Sequence, residues 1–461
     1  MLPKNDMQYK ADSQGLTLLL VQRCMQARWK DMSADVRTVA TQCVLDWLGV
    51  SLAALNEVAP RILLDELASR GGVQEAIAIG SALRLPAAAA AEYNGTLGHM
   101  LDYDDVHLAI TGHPTAVLMP ALLAMAQQRG NITGAQLLAA LVAGCEMNCR
   151  VGKLIAPNHY GRGFHSTSTA GSLGAALACA HLAGLTEQQT CVALGLAATQ
   201  ASGLKAMFGS MGKPWHAGLA ARNGLMAVQL AARGFTGPQD VLEHGQGFAS
   251  AYSDDFHPNA ALEESESGWH IRDTLFKFHA SCYGTNACME ALLSLKHSLG
   301  FKAEDVERVG VIVHSSSATV CNISSPSNDT EAKFSLRACA AMTLAGLDTS
   351  VPETFSAESL SHLLVRRLVQ CVQVSFSDDI PAMASEVCVV LKSGHEHRLF
   401  HDAGLPSKHL ATQQEKLEGK FRVIVGRVCG DVKAQGVSLA VRNLADSSLD
   451  PLATALQDCE R

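Results

Sequence analysis

Between His99 and His113 the chain carries three histidines (His99, His107, His113) and three aspartates (Asp102, Asp104, Asp105) within 15 residues. They sit in the run NGTLGHMLDYDDVH, which is followed by Gly112-His113-Pro114. Carboxylates packed this closely push one another's pKa values apart. Split pKa values let one group give a proton while another takes one. The same residues also suit a solvated acidic loop that caps a helix beginning at Pro114, and a metal site is a third reading. Against the metal, no His-x-x-x-His or Glu-x-x-His pair falls on a clear helix here, and CxxC and HExxH patterns are missing.

Three further segments could contribute. Tyr160-Gly-Arg162-Gly-Phe-His165-Ser166-Thr-Ser168 opens a Gly/Ala-rich helix. Backbone N–H groups at a helix start attract anions, so His165 is placed either to hold a substrate carboxylate or simply to cap the helix. No strand precedes it, so the glycine spacing is not a nucleotide fingerprint. Gly209-Ser-Met-Gly212-Lys213-Pro214-Trp215-His216 puts a lysine at the next helix start. Its positive charge suits a polycarboxylate, and Pro214 after Lys213 rules out a Walker motif. Finally, Lys277-Phe-His279-Ala-Ser-Cys282-Tyr283 lies where the pattern of the chain changes. Cys282 is reactive there only if nearby cations lower its pKa, and is otherwise an inert buried thiol.

The elements that must position these residues fall into two groups. Residues 33–260 read as helical almost throughout. Ser33 caps a helix with Val36, Val39, Ala40, Cys43 and Val44 on one face. A helix follows His113-Pro114 and ends at Gly130. Thr186 and Gln189 form a capping box, and another helix runs from about His216 to Arg233. Several of these have no polar face, which predicts a multi-layer bundle with dry central helices. The acidic, Ser-rich stretch Leu262–Gly268 reads as a linker. Beyond it, Val309, Val311 and Val313 alternate as in a half-buried strand, as do Val372, Val374 and Phe376. Val387–Leu391 and Arg398–Phe400 flank a Ser393-Gly394 turn. Helices near 284–299, 334–346 and 357–368 lie between, which predicts a small, mostly antiparallel sheet. From about Lys408 the chain is helical again and is expected to pack back on the first domain.

Composition narrows the class. The chain has 461 residues, 48% hydrophobic and 17% charged, enough for two well-packed domains. A net charge of −8 without a basic stripe argues against nucleic acid as a partner. The 14 cysteines are scattered, which predicts reduced thiols in a cytoplasmic protein. Lys4, Asp6, Lys10 and Asp12 precede the first apolar run, so no signal peptide is expected. The apolar stretches 134–149 and 166–183 carry Glu146 and His181 and read as core helices, so no membrane partner is expected.

Taken in order, the motifs NGTLGHMLDYDD with GHP, GRGFHSTSTAGSLGAA, KPWHAGLAARNG, KFHASCYGTNA and EAKFSLRACAAM resemble the MmgE/PrpD family over nearly the whole chain. The resemblance implies a mainly α fold: a large all-helical domain over 1–265 and 406–461, and a smaller α+β lid domain over 266–405. It implies a lyase-type enzyme, a homodimer without metal or other cofactor, acting on a small di- or tricarboxylate. Hydro-lyase (dehydratase) chemistry ranks first, with epimerisation, decarboxylation or a non-catalytic relative as alternatives. Carried over residue by residue, the active site is Asp102, His113, His165, Lys213 and Lys277. His107, Ser166, His216 and Cys282 are expected to contact substrate. Three positions depart from the family's decarboxylases: Val106 replaces a Thr, Cys282 a His and Ala338 a Tyr; Asn286 stands where the family often has a His.

Overall fold

The computed structural model describes residues 15–457; the N-terminal charges at Lys4, Asp6, Lys10 and Asp12 lie outside them. The fold is mainly α with one small mixed sheet. The chain divides into two compact units, residues 1–100, 104–274 and 410–461 in the first, 101–103 and 275–409 in the second.

The first unit is a layered helical bundle. Its helices Ala34–Ala53, Ala87–Gly98, Thr115–Arg129, Gly134–Ile155, Ser166–Ala183 and Gly212–Ala232 are buried over most of their lengths. Ser166–Ala183 is central, with every residue buried except His181 and Ala183. A helix can be this dry only where small residues let backbones approach. A Cβ added at Gly144 would meet the Ala178 Cβ at 2.6 Å, and one at Gly224 the Ala175 Cβ at 2.5 Å. Local signals read from the sequence set the ends: Ser33 accepts from Val36 N, Thr186 and Gln189 form their capping box, and Gly130 ends its helix with φ +66°.

The tail returns to this unit as helices Leu410–Cys429 and Asp431–Arg442. Lys420 pairs with Asp46 at 2.7 Å, both buried, and Gln413 donates to Gln42 at 2.7 Å. The acidic stretch after Leu262 is no loose linker. Arg150 donates to the carbonyls of Ala261 and Glu263, Lys153 pairs with Glu263, and Glu146 accepts from His270 N. These bonds hold the chain in the first unit as far as Thr274, so the division falls at Leu275.

The second unit is α+β. Besides a short pair in the first unit, β1 (Ala76–Ile77) with β2 (Arg84–Leu85), the strands are β3 (Val306–Val313), β4 (Val372–Phe376), β5 (Ala384–Leu391) and β6 (Glu396–Asp402). They form one sheet in the order β4-β3-β5-β6. β3 pairs parallel with β4 and antiparallel with β5, and β5 and β6 make the hairpin whose turn holds Gly394 at φ +84°. Val309, Val311 and Val313 face the core, as their alternation predicts. Helices Tyr283–Leu299 and Leu336–Ala345 belong to this unit. The helix expected near 357–368 is broken at His362 into Ala357–Ser361 and Leu363–Cys371. Among the described residues no single helix is long and apolar enough to cross a membrane; one bent pair, Ala34–Ala53 with Val58–Ser69, passes only jointly, with an 89° bend.

Candidate active site

The first unit gathers a row of imidazoles. His99 follows the Ala87–Gly98 helix, His165 stands just before Ser166–Ala183, and Lys213 and His216 lie in the first turns of Gly212–Ala232. That last helix starts at Gly212 rather than near His216, so Lys213 is helical instead of sitting in a preceding turn. Two glycines make the juxtaposition possible. A Cβ at Gly95 would meet the Gly218 Cα at 2.8 Å, and one at Gly218 the Glu92 carbonyl oxygen at 2.1 Å. Any larger residue would push these two helices apart.

Asp104 organises the row. Its Oδ2 lies 2.9 Å from His99 Nδ1 and 3.2 Å from His113 Nδ1. An ionised carboxylate only accepts, so its hydrogen bond to His99 assigns the proton to His99 Nδ1. His99 Nε2 is left buried with no hydrogen-bond partner among the described residues. The His99 ring lies 4.7 Å from that of His113 and stacks on His165 at 5.6 Å. His165 Nδ1 is 3.2 Å from His216 Nδ1, so one of the two donates to the other. Phe208 closes the row edge-on to His165 at 5.0 Å, and Lys213 Nζ lies 5.2 Å from the Phe208 ring.

Burial dominates the electrostatics. It lowers His99 to about 4, and Asp104 only partly opposes that shift. It holds His165 well below its ordinary value, with His99 and Lys213 adding to the effect. His216 is lowered by burial and by Lys213. These three rings are therefore neutral near pH 7. His165 is therefore a neutral donor–acceptor ring, because desolvation disfavours the imidazolium. Burial works against ionised Asp104, but the flanking imidazoles of His113 and His99 outweigh it and hold the carboxyl well below its usual range. Asp105 goes the other way. Burial, with Asp46 and Asp104 adding, raises it to about 7, although the Thr115 hydroxyl donates to it.

Among the described residues, His99, Asp104 and His113 are the group with metal-ligand spacing, their ligand atoms lying within 4.8 Å of one another. His99 Nδ1 and Asp104 Oδ2 are already hydrogen-bonded at 2.9 Å, and His113 Nδ1 lies 3.2 Å from the same oxygen.

The second unit holds another group. Asp102 has φ +51°, a left-handed conformation that Asp tolerates better than most side chains. Lys277, buried, donates to the Asp102 carbonyl at 2.6 Å and lies 3.3 Å from its Oδ1. Cys282 caps the Tyr283–Leu299 helix, and Asn286 Nδ2 donates to its carbonyl at 3.0 Å. Ala338 is buried in the first turn of Leu336–Ala345, and Val106 is buried in the first unit.

The structure thus brings together His113, His165, Lys213 and His216 in one unit, and Asp102, Lys277 and Cys282 in the other. Ser166 is buried in the first turn of its helix. His107 stands apart: its Nε2 is 2.8 Å from the His270 carbonyl and its Nδ1 accepts from Ala109 N. Both nitrogens are committed to backbone, which holds the loop and leaves none for a ligand. Sequence reasoning gave no role to His99 or Asp104, although both lie in the richest motif. The available signal was an imidazole at a helix end with a carboxylate five residues on.

Comparison with known proteins matches two family models, the MmgE/PrpD N-terminal domain over residues 19–261 and the MmgE/PrpD C-terminal domain over residues 279–446. The chain is similar to human cis-aconitate decarboxylase, 27% identical over 394 residues, covering 82% of this chain and 79% of the relative. The mouse cis-aconitate decarboxylase is 26% identical over 398 residues, 82% of this chain and 78% of the relative. That of Aspergillus terreus is 32% identical over 231 residues, 47% of each chain.

Proposed function

The chain belongs to the MmgE/PrpD family, and from that premise we propose that it is a hydro-lyase (a dehydratase) acting on a small di- or tricarboxylate. The observation that carries this reading is the buried row His113–Asp104–His99–His165–His216 with Lys213 beside it. A proton next to a carboxylate is removed only if the dianion that forms is stabilised, and a fixed positive charge in a dry site does this. Lys213 supplies that charge. A neutral imidazole takes the proton, and Asp104 holds its tautomer. A second proton, delivered to the departing hydroxyl, lets it leave as water. Asp102 with Lys277 supplies a further carboxylate and ammonium, and Ser166 and His216 are proposed to touch substrate.

Decarboxylation is the second reading, favoured by the similarity to cis-aconitate decarboxylases. Val106, Cys282 and Ala338 favour dehydration or epimerisation over it, since each departs from the side chain those enzymes carry. Purified protein incubated with a panel of di- and tricarboxylates in deuterium oxide, followed by NMR, separates the outcomes. Dehydration gives an alkene and water, decarboxylation releases CO2, and epimerisation shows exchange with inversion. Neither exchange nor turnover with any member would sink the proposal and leave the non-catalytic relative.

The protein is proposed to work in the cytoplasm as a homodimer without metal. The free cysteines support a reducing compartment. Prolonged chelation is expected to leave activity unchanged, and light scattering to give twice the chain mass. Activity lost to a chelator and restored only by a divalent ion would turn the His99–Asp104–His113 group into a metal site.

A further inference from the structure

Among the cysteines of the second unit, two face each other across one glycine. Cys282 is the N-cap of the Tyr283–Leu299 helix, and its N–H donates to the Lys333 carbonyl at 3.0 Å. The Cys321 carbonyl accepts from Leu336 N at 3.0 Å, so both backbones are pinned to the same short segment, Lys333–Leu336. A Cβ at Gly284 would lie 3.1 Å from Cys321 Sγ and 3.9 Å from Cys282 Sγ. Both sulfurs therefore border the same glycine.

We propose that Cys282 and Cys321 form an oxidant-sensing pair that hydroperoxides convert to a disulfide. The Cys282 thiolate attacks the peroxide O–O bond, giving a sulfenic acid at Cys282 and releasing water or an alcohol. The Cys321 thiol then attacks that sulfur, the S–S bond forms, and the hydroxyl leaves as water. Two thiols lose two electrons and two protons, and the peroxide gains them.

The roles follow from the surroundings. The Cys321 thiol lowers the Cys282 thiol, and the Lys277 ammonium and Gly284 N–H add to this against burial and Asp102. Cys282 in turn, with burial, pushes Cys321 far up, so Cys282 is the thiolate and Cys321 the resolving thiol. Cys282 is also the one with some exposure, 8% against 0% for Cys321. The nearby Cys339 is committed elsewhere, its Sγ donating to the Ala332 carbonyl at 3.5 Å. Cys145 and Cys149 are an internal control. They are neighbours one turn apart on the Gly134–Ile155 helix, but both thiols are raised, and Glu146 beside them adds to the rise. Proximity without a stabilised thiolate gives no sensor.

The test does not depend on the reaction assigned above. The whole protein is treated with hydrogen peroxide, denatured in an alkylating agent, and mapped by mass spectrometry without reduction. The expected product is a linked Cys282–Cys321 peptide lacking two hydrogens, cleaved by dithiothreitol, while Cys145 and Cys149 are recovered alkylated. Cys321→Ser should accumulate a sulfenic acid at Cys282 that dimedone traps, and wild type should show little of it. Cys339→Ser should keep the link. Recovery of Cys282 and Cys321 fully alkylated from wild type overturns the proposal, without relying on any variant's folding. Equal dimedone labelling of Cys282 in wild type and Cys321→Ser overturns the resolving role.

Discussion

The two units handle charge in opposite ways. In the helical unit one carboxylate, Asp104, lies between the His99 and His113 rings, and burial lowers His99 to about 4, so that ring is neutral near pH 7. In the α+β unit a buried ammonium, Lys277, is held mainly by a backbone carbonyl, and the carboxylate beside it is partly solvated, 29% exposed. Asp102 and Asp104 are two residues apart, yet one is a partly exposed partner of a buried lysine and the other lies buried among imidazoles. Local packing, rather than residue type, sets what an aspartate can do.

The strongest way to break this contrast is Asp104→Asn. The amide has one acceptor and presents N–H groups where an imidazole N–H now points, so the His99 ring loses its assigned tautomer. Activity on a carboxylate that the panel shows to be turned over should fall by roughly 10²–10⁴-fold, the worth of a positioned acid/base group. Steady-state kinetics should show the loss in kcat rather than in KM. An Asn variant with near wild-type kcat would remove Asp104 from the mechanism.

Next comes the pH dependence of stability, where Asp104 and Asp105 have opposite signs. Asp105 is raised to about 7, so between about pH 4 and pH 7 the unfolded chain has released a proton that the folded chain keeps. Stability therefore falls as pH rises through that window and levels off above it, with an upper bound of about 4 kcal/mol. Asp104 is lowered, so its contribution is present above the ordinary carboxylate pKa and is lost as acid is added. Urea titrations across the range should show a flatter decline for Asp105→Asn than for wild type. Equal slopes would mean that Asp105 ionises normally.

Much of this arrangement was legible in the sequence. Ser33, Thr186 with Gln189, Gly130 and Gly394 mark their element ends through local backbone chemistry, which is why those boundaries could be read directly. The alternating valines gave β3 and β4, although parallel pairing between them depends on topology and left no local mark. Leu262–Gly268 read as a linker because its acids look solvated; Arg150, distant in sequence, binds its start. The motifs gave the histidines but not their order. His99 and His107 look alike as letters, and only tertiary packing commits the rings of one to the proton row and those of the other to backbone. The neutrality of His165 was not legible either, because desolvation depends on what the fold places around it.

In the second unit, Lys277→Met keeps the stem of the side chain and removes its charge. The Asp102 carbonyl loses its donor, at a cost of about 1–3 kcal/mol in unfolding free energy. If Lys277 binds a substrate carboxylate, KM should rise while kcat changes less. A stability loss with unchanged KM would make Lys277 structural.

The smallest stability effect is expected from Asp102→Asn, and it is the sharpest comparison with Asp104→Asn. Asn tolerates the left-handed φ of +51° as well as Asp does, so no backbone strain is added. Lys277 keeps its shorter bond, 2.6 Å to the backbone carbonyl, and loses only a carboxylate 3.3 Å away that is already partly hydrated. An ion pair with one exposed member is worth about 0–1 kcal/mol, so denaturation should shift by no more than that. Activity separates the remaining possibilities. If Asp102 carries a proton, kcat falls with the fold intact. If it only balances the Lys277 charge, kcat stays within a few-fold, the lysine remains bound to the carbonyl, and the proton chemistry rests on the Asp104 row alone.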